Sequence, residues 1–513
     1  MPFYLLQAVF LPLLLSPLAY YLGKRYGVGP ATWFSFGVMA WSTMMLLIPA
    51  ASGGYAEHYP WSQLGEFGLL LDGLSIPFAI IIYLLCTVLI LYSRPYMIHK
   101  ITEEYQHQQS EALGIPAKMV TQQVPANVLN HHIGIYYALF LVFSMGMLGT
   151  VLATNLVQFY VFFELMLVPS FFLIALYGYG ARRRIALMFF FWTHVGAVVL
   201  LLGLIALGLS AGSFDMAAIR EAGVPADLLP FIAAAIIIGL IVKLAIFPVH
   251  IWLPYAHAEA PTPISALLSP AMIGIGGYAI VRLVMVLMPE TYVDVSIWLL
   301  IGGLITMIYG GAMALMQDDV KRLLAYSSIS QMGYFLFGFA SVSMIGLTGT
   351  VLLYVSHGTG KGLLFMMAGV LILQAGSRSF SKLGGLAGKM PITAVTAMIG
   401  ALAIIGIPPT NGFMAEWMLF YGVLETALEE GSMLRIVLFG LGLAATVITM
   451  AYMLWMIKRI FYGKPKEGME NVKEGSLYMT APMMALAVIT ILIGIYPEIL
   501  TAHIVPFMRG ILG

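Results

Sequence analysis

A chain of 513 residues that is 61% hydrophobic and only 9% charged is not an ordinary soluble protein, because soluble domains carry about 25% charged residues. Its formal net charge of +1 argues against a nucleic-acid partner, and its single Cys, Cys86, excludes a disulfide framework, a zinc ribbon or an iron–sulfur cluster held by this chain. With a mean hydropathy of +0.95, the fold class expected is an all-α integral membrane protein.

A helix needs about 20 apolar residues to cross the hydrocarbon core. That criterion predicts spans near Tyr4–Leu22, Ala31–Ile48, Ile76–Tyr92, Ile133–Ala153, Leu156–Leu176, Ile185–Leu209, Phe231–Trp252 and Ile264–Leu287. Further spans are expected near Val295–Met316, Leu323–Ala340, Ile345–Leu373, Ile392–Leu424, Leu434–Phe461 and Met483–Leu500, fourteen in all. The first run leads to Lys24 and Arg25 without a small-residue cleavage site, so it is expected to be a retained helix. The segments group as 1–98 (three helices), 99–132 (a polar loop), 133–289 (helices 4–8), 290–461 (helices 9–13) and 462–513 (a loop and helix 14).

If the spans alternate sides, 18 of the 24 Lys and Arg residues face one side, among them Lys24, Arg25, Lys118, Arg182 to Arg184, Lys321 and Lys458. Arg220, Arg282, Arg435 and Arg509 fall on or near the other side, while Lys243 and Lys361 stay inside the membrane. The positive-inside rule then puts the first side in the cytoplasm and both termini outside it, in a plasma-membrane protein. The loop histidines His99, His107, His131 and His132 fit no standard metal-ligand spacing and read as part of a solvated loop.

Most acidic residues fall in loops, but Glu164 in "FYVFFELMLVPSFF" and Glu416 in "GFMAEWMLF" do not. Together with Lys243 in "IIIGLIVKLAIFPVHIW" and Lys361 in "LYVSHGTGKGLLF", they set two acids and two bases in apolar helices, with His194, His250 and His357 in or beside them. Structural ion pairs or snorkelling remain alternatives. Ionisable residues at bilayer depth more often mark an ion path, in which carboxylates, lysines and histidines bridged by water relay protons. Pro248 follows Lys243, and Pro408 and Pro409 precede Glu416. Proline inside a span frees a backbone acceptor and breaks or kinks the helix, so the seventh and twelfth spans are expected to be broken beside a buried charge. Spans seven and twelve are five apart, so helices 4–8 and 9–13 would form an inverted pair of five-helix repeats, as in many transporters.

The strings "DGLSIPF", "FFELMLVPSFFLI", "KLAIFPVHIWLPYAHAEAPTPISALLSP", "DDVKRLLAYSSISQMGY" and "IPPTNGFMAEW" resemble the antiporter-like membrane subunits. This family includes subunits 4 and 5 of respiratory complex I, the large Mrp antiporter subunits and membrane subunits of energy-converting hydrogenases. The resemblance implies that Glu164 and Lys243 form a pair whose separation drives transport. It also implies that His357 and Lys361 are the central H-x-x-x-K pair, and that Glu416 is the terminal acid found in subunit-4-like members. The pattern departs at Gly274 and Gln331, where relatives carry a basic residue and a histidine, so the relay between Lys243 and Lys361 would use water, Ser265, Ser269 or His250.

The resemblance further implies a proton-translocating subunit of a redox-driven assembly of the membrane-bound hydrogenase or sulfur-reductase type, with a multi-subunit Na⁺/H⁺ antiporter without redox chemistry as the alternative. A second alternative is an assembly or structural membrane subunit whose buried charges are vestigial. The partners expected are other antiporter-like and small membrane subunits, peripheral iron–sulfur and hydrogenase-like subunits, and the lipid bilayer. No cofactor, metal or catalytic redox residue is expected on this chain.

Overall fold

The computed structural model describes residues 3–62, 65–114 and 123–512; Lys118 lies outside the described residues. Two long apolar helices come first, α1 (Tyr4–Tyr26) and α2 (Val28–Ala51), turned at Gly27, whose φ of +94° suits glycine. A β-hairpin follows, β1 (Tyr55–Ser62) paired antiparallel with β2 (Gly65–Leu71), Tyr55 opposite Leu71. Next are α3 (Ser75–Leu113), α4 (Ala126–Leu152), α5 (Leu156–Tyr177), α6 (Arg182–Ala211), the short α7 (Met216–Ala222), α8 (Leu229–Lys243) and α9 (Trp252–Glu259). The helical run 262–285 comprises α10 (Thr262–Leu267), α11 (Ile275–Ile280) and the wide π-turns Leu268–Met272 and Val281–Met285. The chain continues with α12 (Pro289–Leu315), α13 (Val320–Phe339), α14 (Met344–Ala375), α15 (Pro391–Ile405), α16 (Asn411–Glu429), α17 (Met433–Phe461), α18 (Leu477–Ile495) and α19 (Glu498–Leu512).

Among the described residues, eleven of these helices or helical runs are long and apolar enough to cross a membrane. The segment expected as the seventh span stops at Lys243 and resumes at Trp252, and the twelfth stops at Ile405 and resumes at Asn411. Three features differ from a purely helical expectation. The hairpin occupies the stretch between the second and third spans, where the Glu57 carboxylate accepts from the N–H groups of Leu5 and Leu6 at 2.9 Å each. Those amides are free donors at the start of α1, where negative charge is favourable. The third helix runs on to Leu113, well past Tyr92, and the chain turns after Ile495 into a separate helix, α19. That helix buries Leu500, Ile504 and Met508 at a spacing of four.

The run 262–285 is fully buried and α14 nearly so, whereas α6 and α17 present Val195, Leu202, Leu209, Val437 and Val447 outward. Polar helices would not leave such rows of large aliphatics exposed; a hydrocarbon surrounding accepts them. Glycines let α14 sit close to its neighbours. A Cβ on Gly360 would lie 3.1 Å from the Gly400 carbonyl oxygen of α15, and one on Gly362 2.9 Å from both Leu85 and Leu486. Helix α14 is continuous through these glycines, so their role is close approach.

Two loop contacts recur. Leu156 and Met216 donate to the carbonyls of Phe214 and Thr154, both at 2.9 Å, while Val320 and Phe380 donate to those of Arg378 and Asp318, again at 2.9 Å. From Leu156 to Val320, and from Phe214 to Arg378, the offset is the same 164 residues. In each case the loop before one helix (α5, α13) is stitched to the loop after the next (α6, α14).

Candidate functional site

Lys243 is the last residue of α8, where the unpaired carbonyls of a helix C-terminus favour a cation. The chain breaks here without leaving its backbone groups orphaned. Trp252 Nε1 donates to the Val242 carbonyl at 3.0 Å, Trp192 Nε1 to that of Val249 at 2.8 Å, and the Phe247 N–H donates to Thr306 Oγ1 at 3.2 Å. Pro248 lies within this break. The Lys243 side chain is 2% exposed, and its amine has no hydrogen-bond partner in the protein. It lies 5.0 Å from the centre of the Phe163 ring, a contact that favours a cation.

Glu164, on α5, is the acid whose charge acts on Lys243, but the two do not touch. The expected pair is open in this structure, and Glu164 Oε2 instead lies 3.2 Å from His194 Nδ1 on α6. Glu164 Oε1 is buried without a partner. The His194 side chain is 41% exposed, so this end of the series reaches the flank of the molecule. Across the break, His250 Nε2 lies 3.2 Å from the Tyr309 hydroxyl while its Nδ1 is unpartnered.

Between this region and α14 stands His257 on α9, wholly buried, with both ring nitrogens unpartnered and its ring stacked on Phe365 at 5.5 Å. Lys321 and Lys361 both act on it through space. His257 sits in plain view in the "YAHAEAPTP" string, yet only its burial among cations draws attention to it. Sequence reasoning also placed Lys321 with the loop cations, whereas the structure buries it completely against the carbonyls of Ala258 and Ala260.

His357 and Lys361 are both fully buried on α14, one turn apart, and face different neighbours. His357 Nε2 lies 3.3 Å from the Ser269 carbonyl. The Ser269 hydroxyl meets that of Ser328 at 2.7 Å, and the Ser265 hydroxyl donates to the His257 carbonyl at 3.1 Å. The Lys361 amine donates to the Leu324 carbonyl at 2.9 Å and to Ser327 Oγ at 2.5 Å, so it is solvated by α13 and not by lipid.

Glu416, on α16, follows the second break, which contains Pro408, Pro409 and Gly406 with φ +75°. The carbonyls freed at the end of α15 are taken up by side chains: Ser356 donates to Ala403 at 3.2 Å and Gln331 to Ile404 at 3.4 Å. Gln331, read in the sequence as a departure from the family pattern, thus closes a broken helix. Glu416 is 8% exposed, its Oε1 has no partner, and it borders a groove of ≈ 370 Å³ shared with Phe413, Trp417 and Phe420.

A second, different kind of charge lies at the end of the run 262–285. Arg282 donates to Asp72 Oδ1 at 2.7 Å and to the Tyr278 hydroxyl at 3.0 Å. Asp72 is also bonded by the N–H of Ser75 at 2.9 Å. Burial alone would raise the Asp72 carboxyl, but the Arg282 charge and these hydrogen bonds outweigh it and hold it below its ordinary value. This closed pair fastens the loop before α3 to the buried run.

Residues 153–449 match the family described as NADH:quinone oxidoreductase/Mrp antiporter, transmembrane. The chain is 31% identical over 488 residues to NAD(P)H-quinone oxidoreductase chain 4 of a Nostoc species, covering 91% of this chain and 84% of that one. Its fold is similar to a chain of respiratory complex I from Thermus thermophilus, with a TM-score of 0.83 and 23% identity over 99% of both chains. It is also similar to a chain of the membrane-bound sulfane sulfur reductase, an archaeal respiratory membrane complex. There the TM-score is 0.78 and the identity 25%, over 96% of this chain and 76% of that one.

Proposed function

The chain belongs to the NADH:quinone oxidoreductase/Mrp antiporter transmembrane family, and from that premise we propose that it is a proton-translocating membrane subunit of a redox-driven complex. The observation that carries this reading is the series of ionisable groups strung through the bundle. It runs from the partly exposed Glu164 and His194 through the buried Lys243, His250, His257, His357 and Lys361 to Glu416, at both helix breaks and on the helices between. An isolated buried charge is costly, and a structural pair would be closed by its partner. Here Lys243, Glu164 and Glu416 keep buried polar atoms without protein partners, as groups that exchange protons with internal water require.

In this reading Glu164 opens and closes on Lys243, the histidines and Ser269 pass protons along the middle, and Lys361 delivers to Glu416. The recurrent loop contacts at a constant offset, together with the two breaks, support a pair of inverted five-helix repeats, helices 4–8 and 9–13 of fourteen spans. Both termini would lie outside the cytoplasm of a plasma-membrane protein. The partners are other antiporter-like and small membrane subunits, with peripheral electron-transfer subunits of hydrogenase or sulfur-reductase type. Likeness to the sulfane sulfur reductase chain supports this setting.

The test is to purify the chain with its native partners, identify them by mass spectrometry, and follow vesicle acidification on adding reductant. Co-purifying iron–sulfur subunits with acidification that a protonophore collapses meets the proposal. Exchange of Na⁺ for H⁺ without redox partners would instead assign the chain to an Mrp-type antiporter.

A further inference from the structure

The passage from Lys361 to Glu416 is the part of the series where no histidine or lysine intervenes, and Gln331 is spent on a helix end. What lies there is a set of hydroxyls. We propose that Ser327, Tyr452, Thr449 and Tyr334 form a file of side-chain hydroxyls that carries protons between Lys361 and Glu416; this deepens the transport reading above and rests on it.

The file is built from two helix faces. Ser327, Ser330 and Tyr334 lie at i, i+3 and i+7 on α13, and Thr449 and Tyr452 at i and i+3 on α17, so each set shares one face. The Lys361 amine donates to Ser327 Oγ at 2.5 Å, and Ser327 Oγ donates to the Tyr452 hydroxyl at 3.2 Å. Thr449 and Ser330 lie near that same Tyr452 hydroxyl, within reach of a small side-chain shift, and Thr449 Oγ1 meets the Tyr334 hydroxyl at 3.0 Å. Every member is 1% exposed or less. Glu416 acts on both tyrosines through space, and its Oε1 is buried without a partner. The last step to Glu416 would be carried by internal water, which sits at unmet buried polar atoms.

A hydroxyl both donates and accepts, so the file can pass a proton without any member ionising for long. The Lys361 ammonium gives a proton to Ser327 Oγ as Ser327 gives its own to Tyr452. The shift repeats through Thr449 and Tyr334 to the water, and the Glu416 carboxylate takes up one proton. Lys361 ends neutral, Glu416 ends protonated, and each hydroxyl ends with one proton, turned the other way. Reversal needs only that the neutral Lys361 amine accept from Ser327. Lipid-facing residues do not enter this route.

The alternative is that these hydroxyls only bind α13 to α17. Threonine and valine at position 327 have the same shape and differ in the hydroxyl, which separates the two. In the intact complex reconstituted in vesicles, Ser327→Thr should keep ion movement within about twofold of the parent. Ser327→Val and Tyr452→Phe should each lose at least about tenfold, the scale of a lost proton-transfer group, at equal amounts of assembled complex. Equal transport by the Thr and Val variants, or parental transport by Tyr452→Phe, overturns the file. Lys361→Met is run alongside. If it is inactive while the Val and Phe variants are normal, only the file fails; if it too transports normally, the transport reading itself fails.

Discussion

The residues before and after Pro289 handle buried charge differently, although the loop contacts repeat at one offset. In the first part the Lys243 amine has no acceptor and Glu164 leans away to a half-exposed histidine. In the second, the Lys361 amine is met by a carbonyl and a serine of α13, while the far acid, Glu416, and His357 Nδ1 keep buried atoms without a partner. The offset of 164 holds from α5 and α6 to α13 and α14 but falls to 159 at the helix starts Trp252 and Asn411. The two charge sets differ in how each lysine is solvated, by space left for water or by protein groups.

The largest effects should come from the two lysines, and they should part company in stability. Lys243→Met and Lys361→Met should both abolish most ion movement. Lys243→Met removes an amine with no partner, so the unfolding midpoint of the detergent-solubilised complex should hold or rise, as apolar replacements of buried charges often do. Lys361→Met takes the donor from Ser327 Oγ and one of two side-chain donors from the Leu324 carbonyl, which keeps Ser328 Oγ, and should lower stability by about 1–3 kcal/mol. Equal stability changes in the two variants would break the contrast.

The closed pair Arg282–Asp72 sharpens it from the other side, as a buried charge that serves structure. Arg282→Met leaves Asp72 uncompensated and should cost about 3–5 kcal/mol, read as loss of assembled complex, with normal transport in what assembles. A carboxyl held below its ordinary value in the folded state stabilises at pH above the unfolded value, and that contribution fades as pH falls through the lower folded value. The pair should therefore be intact near neutrality and weaken only in acid. The Asp72→Asn variant should show a flatter stability profile there than the parent.

Glu164→Gln and His194→Gln probe the open end. Glu164→Gln removes the only acid acting on Lys243 by the geometry described and should reduce vesicle acidification severalfold while assembly persists. His194→Gln keeps a polar partner for Glu164 and should reduce it less. The reverse order would make His194, not Lys243, the functional partner of Glu164.

Much of this arrangement was legible in the sequence because bilayer depth imposes a simple rule on composition. Buried charges stood out in apolar runs, and the prolines after Lys243 and before Glu416 marked the two breaks to within a few residues. What was not legible depends on contacts distant in sequence. The hairpin after α2 is held by Glu57 reaching the start of α1, and the hydroxyl meeting of Ser327 and Tyr452 joins residues 125 apart. Nothing local signals either. Serine and tyrosine in an apolar helix read as ordinary interior residues, and His257 reads as one more letter of a motif until its neighbours are known. Helix α3 overran its expected end because the polar tail after Tyr92 is rich in Glu and Gln, which favour a helix in water as well.

The smallest effect tests the proposed repeat at its most local level, two caps at the same 164-residue offset as the loop contacts. Asn155 caps α5, accepting from the Val157 N–H at 2.9 Å, and Asp319 caps α13, accepting from the Arg322 N–H at 2.9 Å. Alanine at either position should cost about 1 kcal/mol, the usual worth of such a cap. Their second contacts differ. Asn155 Nδ2 donates to Asp215 Oδ1 at 2.8 Å, whereas Asp319 Oδ2 accepts from Arg378 Nε at 2.6 Å. Exchanging the residues should therefore give unequal results. Asn155→Asp sets two carboxylates against each other and loses a donor, so it should destabilise more than Asn155→Ala. Asp319→Asn keeps the cap through its one carbonyl oxygen but loses the acceptor and the charge that face Arg378, which alanine loses together with the cap, so it should cost less than Asp319→Ala. Thermal unfolding of the four variants in one background decides it. If both exchanges prove equally mild, the two caps are interchangeable and the halves differ only along the buried series.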